Sequence, residues 1–306
     1  MSRVPEPENT PEGPAFEGRL LARPEEEVVD QGAGFDISTL LTRRRVLGLF
    51  GVGLGAAAMA ACGAGSSGSS GSSGGSASNA STTADGEIPQ ETNGPYPADG
   101  TNGTNVLTES GIVRSDITTS LDGRTTVDGV PLEFTFTVTD MVNDNAAFEG
   151  VAVYLWQCDA LGRYSMYSEG VEDETYLRGV QVADAKGQVT FKTIVPGCYD
   201  GRWTHMHFEV YPDADSATTG ENAIATSQVA FPEKMLTTVY QDDAYEGSAE
   251  NLTKVSLSTD NVFSDGYDLE MGTFTGSVAA GFKGSLTVAV DTTTEATMGA
   301  APPTRR

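Results

Sequence analysis

Hydrophobic and polar positions alternate in short segments between residues 87 and 290 of the 306-residue chain. Runs rich in Val, Thr, Phe and Tyr are separated by clusters of Gly, Asp and Asn, and no long stretch follows the period of a helix. Such strand-length runs between turn residues are typical of an all-β domain. We therefore predict one all-β domain over residues 87–290, long enough at about 200 residues to bury a substantial core.

The flanking segments have a different composition. Residues 65–81 are almost entirely Gly, Ser and Ala, which bury too little apolar surface to offset the entropy of ordering the chain. We predict a disordered Gly/Ser-rich linker over residues 62–86 and a disordered tail over residues 291–306.

An export signal is predicted ahead of the linker, within an N-terminal extension that covers residues 1–61. Three arginines, Arg43 to Arg45, precede an uncharged apolar run at residues 46–61, which is shorter than the about 20 residues of a membrane-spanning helix. The pair of arginines resembles a twin-arginine signal, and the sequence MAAC at residues 59–62 resembles a lipoprotein cleavage box. We predict lipidation of Cys62 and a location on the outer face of the cytoplasmic membrane or outside the cell. A plain soluble signal is the alternative.

The formal net charge of −25 makes nucleic acid an unsuitable partner. A well-solvated surface explains this charge better than an acidic binding site does. We expect membrane contact only through the N-terminal lipid anchor, and a homo-oligomer is left open.

Candidate chemistry centres on the only two histidines of the chain, His205 and His207. Residues i and i+2 of a strand point to the same face, so the H-x-H spacing sets two imidazoles side by side. This geometry suits a metal, although zinc sites use the same pair. A Pro-Gly turn, Tyr199 and Arg202 lead directly into the strand.

The surrounding segment, PGCYDGRWTHMHFEV at residues 196–210, resembles the iron-site signature of the intradiol ring-cleavage dioxygenases. Three further segments resemble the same family in the expected order, and together they cover about residues 91–210. They are ETNGPYP at residues 91–97, VYLWQCDALGRYSMY at residues 153–167 and YLRGVQVADAKGQVTFKTIVPG at residues 176–197. The resemblance implies an antiparallel β-sandwich that uses Fe(3+) to open a small aromatic diol with O2, giving a muconate-type diacid.

The resemblance also implies a ligand set. Tyr164 and His205 would be equatorial ligands of the iron, and Tyr199 and His207 axial ligands. Tyr199 would be released when substrate binds and would then act as a base. Phenolate oxygen and imidazole nitrogen suit ferric iron, and the metal itself must deprotonate a tyrosine whose unperturbed pKa is about 10.

Two further residues would assist catalysis by the same resemblance. Arg202 would stabilise negative charge on the substrate, and Gln228 would lie near the oxygen-binding pocket. Trp156 lies in an apolar strand and is interpreted as a core residue.

Because both tyrosines must reach one iron, we further predict that Cys158 and Cys198, which lie near them in sequence, form a disulfide in an exported protein. Two alternatives to the enzyme are left open. One is a catalytically inactive cell-surface β-sandwich that binds a ligand. The other is a zinc or copper protein that uses His205 and His207.

Overall fold

The computed structural model describes residues 86–294 together with three short strands near the N-terminus, β1 (Glu8–Thr10), β2 (Gly13–Phe16) and β3 (Arg19–Leu20). These three strands form an antiparallel sheet. The predicted arginine signal, Cys62, the linker up to residue 85 and the tail from residue 295 lie outside the described residues. Among the residues that are described, no helix is long and apolar enough to cross a membrane.

Two larger sheets pack face to face. One contains five strands in the order β11-β12-β4-β5, with β8 also paired to β4. Its strands are β4 (Pro131–Asp140), β5 (Ala146–Ala147), β8 (Gln188–Ile194), β11 (Thr273–Ser277) and β12 (Gly281–Val290). The β4–β12 pair is parallel and the other pairs are antiparallel.

The second sheet has four antiparallel strands in the order β10-β9-β6-β7. They are β6 (Ala152–Trp156), β7 (Arg178–Val182), β9 (His205–Tyr211) and β10 (Ala225–Ala230). Alternate residues of β4 are buried, which shows that one face of the five-stranded sheet is covered. The rings of Phe136 on β4 and Phe208 on β9 lie 4.9 Å apart and join the two sheets through the core.

Every residue of β9 is buried, because both faces of its sheet are covered. Met206, Phe208 and Val210 belong to the core between the sheets. The side chains of the intervening residues point the opposite way, where a second apolar cluster covers the outer face of the sheet. That cluster includes Ala98, Tyr154, Trp156, Tyr164 and Tyr211. The two histidines therefore lie beneath this outer layer.

The chain between β10 and β11 contains four short helices joined by turns. It contains helices α1 (Glu233–Val239) and α2 (Ser248–Leu252) and the 3₁₀ helices Asp243–Tyr245 and Phe263–Asp265. Helix α1 packs through Met235, Leu236 and Val239. Two other 3₁₀ helices, Met141–Asn143 and Gly220–Asn222, lie within loops between strands.

Candidate metal centre

The structure brings together the four predicted ligands. His205 and His207 lie on β9, Tyr164 follows β6, and Tyr199 lies in the loop between β8 and β9. The Nε2 atoms of the two histidines are 3.1 Å apart. The hydroxyl oxygen of Tyr164 lies 3.4 Å from His205 Nε2, and that of Tyr199 lies 3.3 Å from the same nitrogen.

Three side chains converge on one nitrogen of His205. His205 Nδ1 lies 2.5 Å from the carbonyl oxygen of Trp203, which can only accept, so we assign the proton to Nδ1 and a lone pair to Nε2. Tyr164, Tyr199 and His207 all face this one lone pair, which cannot satisfy them all. Atoms that share a metal ion at about 2 Å lie about 2.8–3.5 Å apart when the bond angles are near 90–120°. The spacing therefore fits a shared cation.

The electrostatics of the cluster also favour a cation. Burial and then Arg202 lower the pKa of His205, while burial and then His205 lower that of His207, so both imidazoles stay neutral and able to bind metal. Burial and then Tyr199 raise the pKa of Tyr164 well above its ordinary value. An ionised Tyr164 therefore needs a neighbouring positive charge. Within residues 86–294, no group of three or more His, Cys, Asp or Glu side chains is placed to hold a metal, and here tyrosines stand beside the histidines.

The turn at residues 159–162 packs against the segment before Tyr199, and this contact brings the two tyrosines together. The backbone N–H of Gly197 donates to the carbonyl of Asp159 at 3.1 Å, and a Cβ on Gly197 would lie 2.5 Å from the carbonyl oxygen of Ala160. Gly162, with φ of +81°, packs on Tyr199, whose Cβ would lie 2.9 Å from an added Cβ. Only glycine permits this approach.

The ring of His207 is fixed between two segments. Trp156 stacks on it with ring centroids 4.9 Å apart and planes 6° from parallel. On the 86–130 segment, a Cβ on Gly94 would lie 3.2 Å from His207 Cε1. Tyr96 packs on Tyr164 with ring centroids 4.8 Å apart. Trp156 is thus buried as predicted, and it also holds a candidate ligand.

The predicted catalytic residues lie beside the four donors. Arg202 Nη1 is 3.5 Å from His205 Nε2, and Arg202 Nη2 donates to Gln228 Oε1 at 2.7 Å. Gln228 Nε2 donates to the carbonyl of Thr92 at 2.9 Å. Arg202 also forms a buried ion pair with Asp260, whose Oδ2 is 3.0 Å from Nε. No local sequence motif points to Asp260, which lies 58 positions after Arg202.

The predicted disulfide is absent from the structure, where Cys158 and Cys198 are free buried thiols. The segments that carry them do meet, but the contact runs through the backbone of Gly197. The sulfur of Cys158 lies 3.5 Å from the carbonyl of Gly197, and that of Cys198 lies 3.6 Å from the carbonyl of Arg202. Neighbouring segments therefore do not aim the two sulfurs at each other. Burial raises the pKa of Cys198 to about 11.

Comparison with known proteins agrees with this architecture. A family model described as Dioxygenase matches residues 106–231, which include all six predicted metal-binding and catalytic residues. An intradiol ring-cleavage dioxygenase structure from Tetranychus urticae is 24% identical with a TM-score of 0.56, covering 70% of this chain and 98% of its own. A second dioxygenase structure is 23% identical with a TM-score of 0.55 and the same coverage. No match was found among curated proteins.

At this identity the structural likeness concerns the fold, and it confirms the predicted β-sandwich. The family match covers 126 of the 306 residues, and it shows that this part of the chain is similar to dioxygenases. Over residues 106–231 it confirms the resemblance to dioxygenases that the sequence motifs indicate.

Proposed function

We propose that this protein is a ferric-iron-dependent dioxygenase that cleaves a small catechol-type ring between its two hydroxyls. The observation that carries the proposal is the convergence of two tyrosine hydroxyls and one imidazole on His205 Nε2, at 3.1–3.4 Å. Two phenolates are hard oxygen ligands that suit ferric iron, and neutral imidazole also binds iron. When bound there, ferric iron would make a catechol dianion susceptible to direct attack by O2.

The two tyrosines differ in exposure, which supports different roles for them. Tyr164 is buried, whereas Tyr199 is partly exposed. Tyr199 is thus the phenol that an entering substrate can reach and displace. Its oxygen would then take a proton from a catechol hydroxyl, which is the work of a general base.

Arg202 would act on charge that develops in the substrate. Its Nη1 faces the donor cluster, while Nε and Nη2 are held by Asp260 and Gln228. A preorganised cation in a buried site stabilises developing negative charge strongly, because little reorganisation is needed during the reaction. Gln228 would help to fix the guanidinium of Arg202 through its hydrogen bond with Nη2.

The setting of the enzyme is also a proposal. Export by the arginine signal and anchoring through a lipid on Cys62 are supported by the sequence at residues 43–62. Small aromatic diols and O2 would be the partners at the site, and the identity of the diol is part of the test.

The decisive experiment measures oxygen uptake by the purified protein with catechol, hydroxyquinol and 3,4-dihydroxybenzoate, and identifies the product by mass. We expect consumption of one O2 per ring with at least one substrate, and a diacid whose mass equals substrate plus O2. His207→Gln is the matched inactive control. A protein that binds catechols without consuming O2 would instead be a binding module, and one that retains only zinc or copper would contradict the iron assignment.

A further inference from the structure

The guanidinium of Arg202 is held asymmetrically. Asp260 Oδ2 accepts from Arg202 Nε at 3.0 Å, and Asp260 Oδ1 accepts from Nη2 at 3.3 Å. Gln228 accepts from Nη2 at 2.7 Å. Only Nη1 is directed at the donor cluster, 3.5 Å from His205 Nε2. Because the guanidinium is planar and its Nε and Nη2 atoms are already held, only Nη1 is left to face the donor cluster.

Asp260 is itself fixed from two directions. Its Oδ1 accepts from the backbone N–H groups of Val262 and Phe263 at 2.9 and 3.2 Å, which anchors the carboxylate to its own loop. Its Oδ2 accepts from the backbone N–H of Trp203 at 2.7 Å. Both Asp260 and Arg202 are buried. The carboxylate thus ties the 260–263 loop to the segment that leads into β9.

Stability alone is a poor explanation for this ion pair. Burying two charges costs desolvation, and an apolar pair of similar size is often as stable. Burial opposes each charge, yet Asp260 raises the pKa of Arg202 and Arg202 lowers that of Asp260, so the pair stays ionised. What the pair does provide is a single orientation of Arg202 next to the donor cluster.

We propose that Asp260 is a positioning residue that locks Arg202 with Nη1 facing the reacting ring. The inference rests on the proposed ring-cleavage function. It extends the catalytic centre beyond residues 106–231, the region matched by the family model, into the connection between β10 and β11.

The test uses Asp260→Asn in the full-length protein, which preserves shape and removes the charge. We expect kcat to fall by about 10²-fold, because small displacements of a catalytic group are costly, with KM changed by less than about threefold. Iron content and the visible band should be retained. Asp140→Asn is the matched control, since Asp140 is also buried and caps the N–H of Val142 without an arginine partner.

A double-mutant comparison separates positioning from a general structural role. In an Arg202→Gln background, Asp260→Asn should lower kcat by less than about twofold, because the residue it positions is already absent. The melting temperature supplies a readout independent of activity. Arg202→Gln and Asp260→Asn both break the same ion pair, so the double variant should lose less melting temperature than the sum of the two single losses.

Three results would overturn the inference: unchanged kcat in Asp260→Asn, losses of kcat that multiply in the double variant, or losses of melting temperature that add in full in the double variant. If Asp260→Asn alone does not fold, the two variants in the Arg202→Gln background still decide the question. If the wild-type protein neither binds iron nor cleaves catechols, the proposed function fails, whereas the melting comparison still shows whether the two charges are coupled.

Discussion

The two ends of strand β9 place polar residues on the same face but organise them differently. His205 and His207 occupy the first half, and Glu209 and Tyr211 the second, all at alternate positions. All four are buried. In the second half a donor meets an acceptor, since the hydroxyl of Tyr211 donates to Glu209 Oε2 at 2.6 Å.

In the first half the polar groups converge on one atom. Two hydroxyls and an imidazole lie 3.1–3.4 Å from a nitrogen that has one lone pair. Burial alone therefore does not distinguish a polar core from a metal site. The difference lies in where the polar atoms converge, since three groups of the first half meet at one nitrogen at distances that fit a shared cation.

The largest expected effect tests this contrast directly. His207→Gln should lose most bound iron, because an amide is a much poorer ligand than imidazole for this donor set. Glu209→Gln should retain iron within about twofold, because burial raises the pKa of Glu209 and a neutral amide resembles its protonated form. Iron per protein chain, measured after purification, checks both. Equal loss of iron in the two variants would show that the two halves of β9 do not differ in this way.

A smaller effect is expected beside the ligands. Arg202→Ala should keep the iron and the visible band but lower kcat by roughly 10² or more, as when one preorganised charge-stabilising group is removed. Steady-state oxygen uptake by iron-replete protein measures it. Unchanged turnover with intact iron would show that Arg202 has another role.

Carboxyl groups that need no metal should affect stability rather than iron. Burial and then Glu91 raise the pKa of Glu270 to about 9. The pKa of Glu270 in the unfolded chain is about 4.3. Between about pH 4.3 and pH 9 the folded state therefore keeps a proton that the unfolded state has lost, and the stability that Glu270 contributes is lost as the pH rises through this range. Between pH 5 and pH 8 the free energy of unfolding should fall in the wild-type protein by about 1–3 kcal/mol more than in Glu270→Gln. The exposed Glu169→Gln serves as control, and an unchanged pH dependence in Glu270→Gln would contradict the expectation.

Much of the site follows from local rules of sequence. The alternation of a strand places His205 and His207 on one face. The Pro-Gly turn predicted before Tyr199 is not present, because residues 195–199 are extended irregular chain that packs on the turn at residues 159–162 through Gly197. The all-β class follows from short runs between turn residues, and it is confirmed. The convergence of Tyr164 on these residues needed the family resemblance, because it depends on how two segments pack.

Contacts between residues far apart in the sequence could not be predicted from local sequence patterns. Asp260 reaches Arg202 from a loop that has no motif of its own, and the parallel pairing of β4 with β12 joins segments about 150 residues apart. The absent Cys158–Cys198 disulfide has the same cause. Sequence proximity to the tyrosines predicts neighbouring segments, but the aim of each sulfur depends on backbone packing at Gly197.

The proposal that Tyr164 and Tyr199 both bind ferric iron can be tested by visible absorption spectroscopy. The spectrum of the iron-loaded protein is compared with those of Tyr164→Phe and Tyr199→Phe. We expect a red-brown protein with a tyrosinate-to-iron(III) band that shifts or weakens in each variant, because both phenolates bind the metal. Phe preserves the ring, so the packing of Tyr164 on Tyr96 and of Tyr199 on Gly162 should be retained. A colourless iron-loaded protein, or a band unchanged in both variants, would contradict the proposed ligand set.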